Sequence, residues 1–144
     1  MSIRLTASDE STPVKALVDS GSEHILAAPW LAADSGIDLR RPKYETKLGI
    51  GGANPNVHFV DVRVQLLHPG GEDDQFIEWD TEVGFPESWR APWPILLGQH
   101  GFFDQFTVSM HRSASLTIVE EWGVFDDRFG VEFGEANEHT PRSQ

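Results

Sequence analysis

Ala16-Leu17-Val18-Asp19-Ser20-Gly21-Ser22 decides how the rest of this 144-residue chain is read. Three apolar residues predict a buried strand, and that strand runs into an acid, a hydroxyl and a glycine, the residues of a turn. A carboxylate in such a place is costly unless it is hydrogen-bonded or has a chemical task. Glycine at the third place lets the backbone turn tightly and lets another segment approach closely. The small hydroxyl between them can bond to backbone and hold the loop. On these residues alone two readings stand: a turn acid after an edge strand, or a carboxylate presented for chemistry.

The same tripeptide recurs at Asp34-Ser35-Gly36, fifteen residues later, and its setting separates the two copies. The second follows Ala32-Ala33 rather than a β-branched run. It ends Pro29-Trp30-Leu31-Ala32-Ala33, which predicts a short helix closed by Gly36 as its C-terminal cap. This copy is read as structural. Asp80-Thr81-Glu82 is a near match that lacks the glycine.

The length suits one domain with a real core but not two lobes. Nine Phe and five Trp among many Val, Ile and Leu argue for a folded, strand-rich protein, and thirteen Gly with nine Pro punctuate it as turns would. The absence of cysteine excludes disulfides and thiolate metal sites. No basic-apolar-small leader opens the chain and no apolar run reaches membrane-spanning length, so a cytoplasmic protein without a membrane partner is expected. A net charge of −12 disfavours nucleic acid, because Arg40-Arg41 with Lys43 is too small a basic cluster to line a phosphate groove.

Taken in order, Ser2 to Thr6 alternates weakly, Ser8-Asp9-Glu10-Ser11-Thr12-Pro13 is turn chemistry, and Val14 to Val18 returns as the second strand of a hairpin. His24-Ile25-Leu26 continues extended into the short helix around Trp30. Tyr44 to Leu48 and Val57 to Leu67 flank Gly49-Ile50-Gly51-Gly52-Ala53-Asn54-Pro55-Asn56, which predicts a long hairpin with a mobile tip. Val60, Val62, Val64 and Leu66 alternate with Asp61, Arg63 and Gln65, giving the second of these strands one wet face. Gly49 to Gly52 lacks the lysine and helix of a phosphate-binding loop and the spacing of a dinucleotide fingerprint, so no nucleotide cofactor is expected. His68 to Asp74 reads as an exposed turn, Phe76 to Phe85 as a further strand, and Trp89 and Trp93 as lids on the core. The six histidines show no paired metal-ligand spacing, so no metal is expected, and His24 reads as a strand residue.

A second signature is Pro94-Ile95-Leu96-Leu97-Gly98-Gln99-His100-Gly101-Phe102-Phe103-Asp104-Gln105-Phe106. An apolar strand ends in glycine and hands over to a segment whose Phe102, Phe103 and Phe106 stand at helical spacing, followed by a strand from Thr107 to His111. Asp19-Ser20-Gly21, the glycine-rich hairpin about thirty residues on, and Ile95-Leu96-Leu97-Gly98 stand in the order and approximate spacing of the single-domain, retroviral-type (retropepsin-like) aspartic proteases. Over residues 3–119 the chain resembles that family.

The resemblance implies an all-β, closed β-barrel-like retropepsin (acid protease) fold with one short C-terminal helix. It implies a protease domain over residues 1–119 and leaves the acidic extension 120–144 unexplained. That extension carries Trp122, Phe125, Phe129 and Phe133 at helical spacing, interrupted by Gly123, Gly130 and Gly134, and ends loosely from Ala136 to Gln144. Asp19 is implied as the catalytic acid, supported by Ser20 and Gly21. Ile50, Gly51 and Gly52 would act as a flap and, with Leu97 and Gly98, contact a peptide or protein substrate. With one credible acid per chain, a homodimer pairs the two Asp19 carboxylates at its axis. Many relatives place Arg after the second glycine, paired with an acid soon after the catalytic triplet. Here those positions hold Gln99 and Glu23, and a neutral bond from Gln99 is the plainer expectation, with His100 the alternative. The same fold without hydrolysis would be a peptide-binding or dimerisation module.

Overall fold

Alternation at the N-terminus closes the fold. The computed structural model describes residues 1–7, 11–72 and 74–128; the readings at Ser8-Asp9-Glu10, at Asp73 and over residues 129–144 lie outside the described residues. The strands are β1 (Ser2–Thr6), β2 (Val14–Val18), β3 (Ile25–Ala27), β4 (Tyr44–Lys47), β5 (Asn56–Leu67), β6 (Phe76–Pro86) and β7 (Ile95–Leu97), with helix α1 (Pro29–Asp34) between β3 and β4. Ile3 and Leu5 of β1 are buried while its neighbours are half-exposed. Both edges of β1 are used: it pairs antiparallel with β2 through Ile3↔Val14 and with β5 from Ile3↔Leu66 to Thr6↔Arg63. The sheet order β1-β2-β7-β3-β6-β5 therefore returns to β1, a closed barrel of six strands, and β4 hangs outside the ring on β5.

The alternation predicted for β5 holds from Val60 to Val64, with Asp61 and Arg63 exposed. It slips by one residue between Phe59 and Val60, both buried, so the two halves of this strand bury opposite faces. Val57 and Phe59 form a cluster with Leu26, while Val62 and Val64 belong to the other side. Each such side chain contributes about 1.5–3 kcal/mol by leaving water. Gln65 departs from the expected wet face: it is only 8% exposed. Its amide is satisfied at both ends by its cross-strand neighbours, accepting from Arg4 at 3.0 Å and donating to Glu78 at 2.6 Å.

Asp61 and Glu82 stand directly opposite each other on β5 and β6, an unfavourable like-charge pair. Lys43, at the foot of β4, bridges them, with Nζ 3.2 Å from Asp61 and 2.5 Å from Glu82. The Lys43 hydrogen bond holds the Glu82 carboxyl below the usual glutamate range, and the Tyr44 hydroxyl adds to it.

The chain divides into two compact units, Met1–Phe102 and Phe103–Gln144. In the second, β8 (Phe106–His111) and β9 (Leu116–Glu121) form an antiparallel hairpin, turned by the 3-10 helix Arg112–Ala114 and by Ser115 at φ 50°. Residues 122–128 are helical, with the Trp122 and Phe125 rings in edge contact at 5.7 Å and Arg128 paired with Glu120. A short helix does stand near the C-terminus, but it lies in the extension beyond residue 119. The aromatic segment is different: residues 101–105 are turns, not a helix, and Phe106 already opens β8. Gly101 stands at φ 93°, which breaks a helix there, and the Phe spacing reflects burial of Phe102 and Phe106 rather than a helical face. Among the described residues no helix is long and apolar enough to cross a membrane.

Replacing Lys43 with Met leaves Asp61 and Glu82 facing each other with no cation between them. Glu82 has a depressed folded value, so its contribution is present at neutral pH and is lost as pH falls through that value. Melting temperature should drop for K43M at pH 7 in low salt, and the gap to wild type should close as carboxylates protonate. A gap that widens on acidification would contradict the bridge.

Candidate active site

The loop that carries Asp19 is built by two parallel strands. β2 and β7 pair through Ala16↔Ile95, Leu17↔Leu96 and Val18↔Leu97, and the Asp19 N–H donates to the Leu97 carbonyl at 3.0 Å as the last rung. There β2 stops and the chain turns, with the Ser22 N–H on the Asp19 carbonyl at 3.1 Å. The Asp19 Oδ1 accepts the Gly21 N–H at 3.0 Å, which orients the carboxylate against its own loop. A Cβ on Gly21 would lie 3.2 Å from that oxygen. Asp19 is half-buried, and Ser20 and Gly21 are exposed.

β7 leaves behind this loop through Gly98. A Cβ there would stand 2.2 Å from the His24 carbonyl oxygen and 2.6 Å from that of Ser22, so the close approach excludes any side chain. Beyond it the two segments stay joined: Gln99 N–H donates to Ser22 O at 2.9 Å and His100 N–H to Glu23 O at 2.8 Å. Two side chains add to the grip. The Ser22 hydroxyl donates to the His24 carbonyl at 2.7 Å, and the Gln99 amide donates to the Ser20 carbonyl at 2.8 Å. Leu97 and Gly98 are buried behind the loop, where they brace it.

The glycine hairpin between β4 and β5 is a tight two-residue turn. Ile50 and Ala53 exchange both backbone bonds at 2.9 Å, with Gly51 at φ 56° and Gly52 at φ 82°. Two consecutive positive φ values define a turn that glycine enters freely. A Cβ on either glycine would meet nothing within 4 Å, so backbone shape and not crowding requires them. Ile50 packs on the Leu26, Val57 and Phe59 cluster, and Leu48, Trp89 and Leu96 pack on it too. Leu96 is the register partner of Leu17, two residues before Asp19. The turn and the strand behind the acid thus share one apolar base.

Other acids lie elsewhere. Asp34 is exposed at the end of α1, where Gly36 at φ 69° closes the helix as its pattern predicts. Asp80 lies within β6, bonded by Arg63 at 3.0 Å, which holds its carboxyl below the ordinary range. The His24 ring meets the edge of Phe59 at 4.9 Å and stands 5.4 Å from His100. Among the described residues no cluster of three or more His, Asp or Glu is arranged to hold a metal ion.

Ser22 and Leu96 lie within the two quoted signatures, but the sequence gives neither side chain a task there, and nothing in it joins Leu48 or Trp89 to this region. Leu96 was hidden in a three-residue apolar run, where alternation has no polar neighbours to reveal it. No protein-family model matches the chain, and no curated protein matches it. Among solved structures it is similar to the retroviral protease-like domain of Ddi1 from Leishmania major. That match has a TM-score of 0.48 and 14% identity, covering 83% of this chain and 86% of that one.

Gly98→Ala forces backbone apart at the crossing and should cost about 3 kcal/mol, the upper part of the range for overpacking. Denaturant unfolding checks it. A cost below about 1 kcal/mol would mean that the crossing is slack.

Proposed function

We propose that this chain is an aspartic-type endopeptidase that acts as a homodimer. The observation that carries the reading is the Asp19 carboxylate, oriented by the Gly21 N–H on a loop gripped from behind by residues 97–100. Such a grip holds a charged group in one orientation at the surface, which general acid–base chemistry requires and a simple turn does not. The ordered motifs of the sequence support the same reading. The protease domain spans residues 1–119, with 120–144 as an acidic extension, and the protein works in the cytoplasm.

In the dimer two Asp19 carboxylates stand together and share one proton, since adjacent carboxylates do not both ionise cheaply. The charged one takes a proton from a bound water, which attacks the carbonyl carbon of a peptide bond. The protonated one gives its proton to the carbonyl oxygen, and the pair then protonates the departing amine. Gly21 admits the substrate backbone, and Ile50, Gly51 and Gly52 close over an extended peptide as a flap.

Asp19→Asn keeps volume and hydrogen-bonding capacity, so it should fold and dimerise but not cleave. Once subunit exchange is demonstrated with mass-tagged chains, an equal mixture with wild type should retain roughly a quarter of the activity, the fraction of dimers with two acids. Survival of roughly half would rule out a shared site, as would an active monomer in sedimentation. Cleavage blocked by EDTA and indifferent to pepstatin would defeat the aspartic reading altogether. A dimer that binds peptides without cutting them would favour the non-catalytic module.

Gly51→Val places a β-branched residue at φ 56°, a conformation that costs such a residue roughly 1–2 kcal/mol or more. It should slow turnover more than it lowers melting temperature. Asp34→Asn should leave cleavage intact; a dead D34N enzyme would move the site to the second triplet.

A further inference from the structure

We infer that Gln99 is a positioning residue for Asp19, acting through the single peptide unit between Ser20 and Gly21. The Gln99 Nε2 donates to the Ser20 carbonyl at 2.8 Å. The N–H of the same peptide plane, that of Gly21, donates to Asp19 Oδ1 at 3.0 Å. A peptide unit is rigid, and its C=O and N–H point in opposite directions. Fixing the carbonyl end therefore fixes the direction of the N–H that holds the carboxylate. Hydrogen bonds in series also polarise one another, so a donor on the carbonyl strengthens the N–H as a donor.

The side chain has the freedom to do this because the backbone of Gln99 is already secured. Its N–H is held by the Ser22 carbonyl at 2.9 Å, and Gly98 before it is locked at the crossing. The amide thus reaches from an immobile base across 79 residues of sequence to the one peptide that Asp19 uses. Without it, Ser20 and Gly21 are exposed, and the plane between them is free to rotate away from the carboxylate. The catalytic part of this role rests on the endopeptidase reading; the positioning part does not.

The test uses the full-length protein and two substitutions. Gln99→Met keeps the length and removes the donor; Gln99→Lys restores a donor. In nitrogen-15-labelled protein the Gly21 amide should exchange with water about threefold to tenfold faster in Q99M, the factor that an ordinary net hydrogen bond carries. The Val64 amide, in the barrel wall, should be unchanged, and Q99K should return Gly21 toward wild type. In peptide cleavage Q99M should lower kcat about tenfold with KM unchanged, and Q99K should recover most of it. A wild type that cleaves while Q99M matches it in both kcat and Gly21 exchange would overturn the relay and leave the peptidase standing. A wild type that cleaves nothing would remove the peptidase reading, and the Gly21 amide would still decide the relay. Equal behaviour of Q99M and Q99K, or a general rise in exchange that includes Val64, would show packing rather than donation and overturn it.

Discussion

The structure depends on one close approach: β7 passing behind the Asp19 loop at a point where no side chain fits. At Gly98 the backbone is near enough to the Ser22 and His24 carbonyls that a methyl group would collide with both. The backbone bonds that join the loop to residues 97–100 accompany that contact, from the Asp19 N–H on Leu97 to the Gln99 and His100 N–H groups on Ser22 and Glu23. It also decides the barrel, because β7 stands between β2 and β3 in the ring and must serve both. That strand pairs parallel with β2 on one side and antiparallel with β3 on the other.

Much of this was legible because the residues involved have few alternatives. Glycine after an apolar run signals a turn or a close approach, and Gly98 is the second of these. The helix at Pro29 with its Gly36 closure, the β1–β2 hairpin and the long β4–β5 hairpin came from punctuation and period, which are local signals. What was not legible is non-local. Gln65 belongs by alternation to the wet face, and only its pairing between Arg4 and Glu78 allows its burial. The phase slip shows in the sequence only as the adjacent apolar pair Phe59-Val60, which alternation alone does not divide between two faces. The Phe spacing at 102–106 satisfied a helical template for a different reason, since burial at the end of one unit and the start of a strand can mimic it.

The candidate site shows the same division. Asp19 and Gly21 stand within one turn, and their bond is a local geometry that the tripeptide itself dictates. The partner of Ser20, by contrast, lies 79 residues away. The departure from Arg at position 99 pointed to a neutral contact without saying where its donor would land. The Ser22 hydroxyl was overlooked because a serine just past the triplet looks like ordinary turn chemistry.

The ring closes without β4. Its four residues are all exposed and pair along the backbone with β5 alone, from Tyr44↔Phe59 to Lys47↔Asn56, while the Tyr44 hydroxyl reaches Glu82 of β6. Any displacement of β4 and its glycine turn therefore breaks no pairing among the six staves. The six paired strands form the frame, and the hairpin is a leaf hung on β5 and seated on the core by Leu48 and Ile50. Changes at Gly51 and Gly52, where a Cβ would meet nothing within 4 Å, leave every ring pairing in place, whereas changes at Leu48 or Ile50 reach the core cluster itself. In such an architecture the shape of the glycine turn and the closure of the ring are set by different residues.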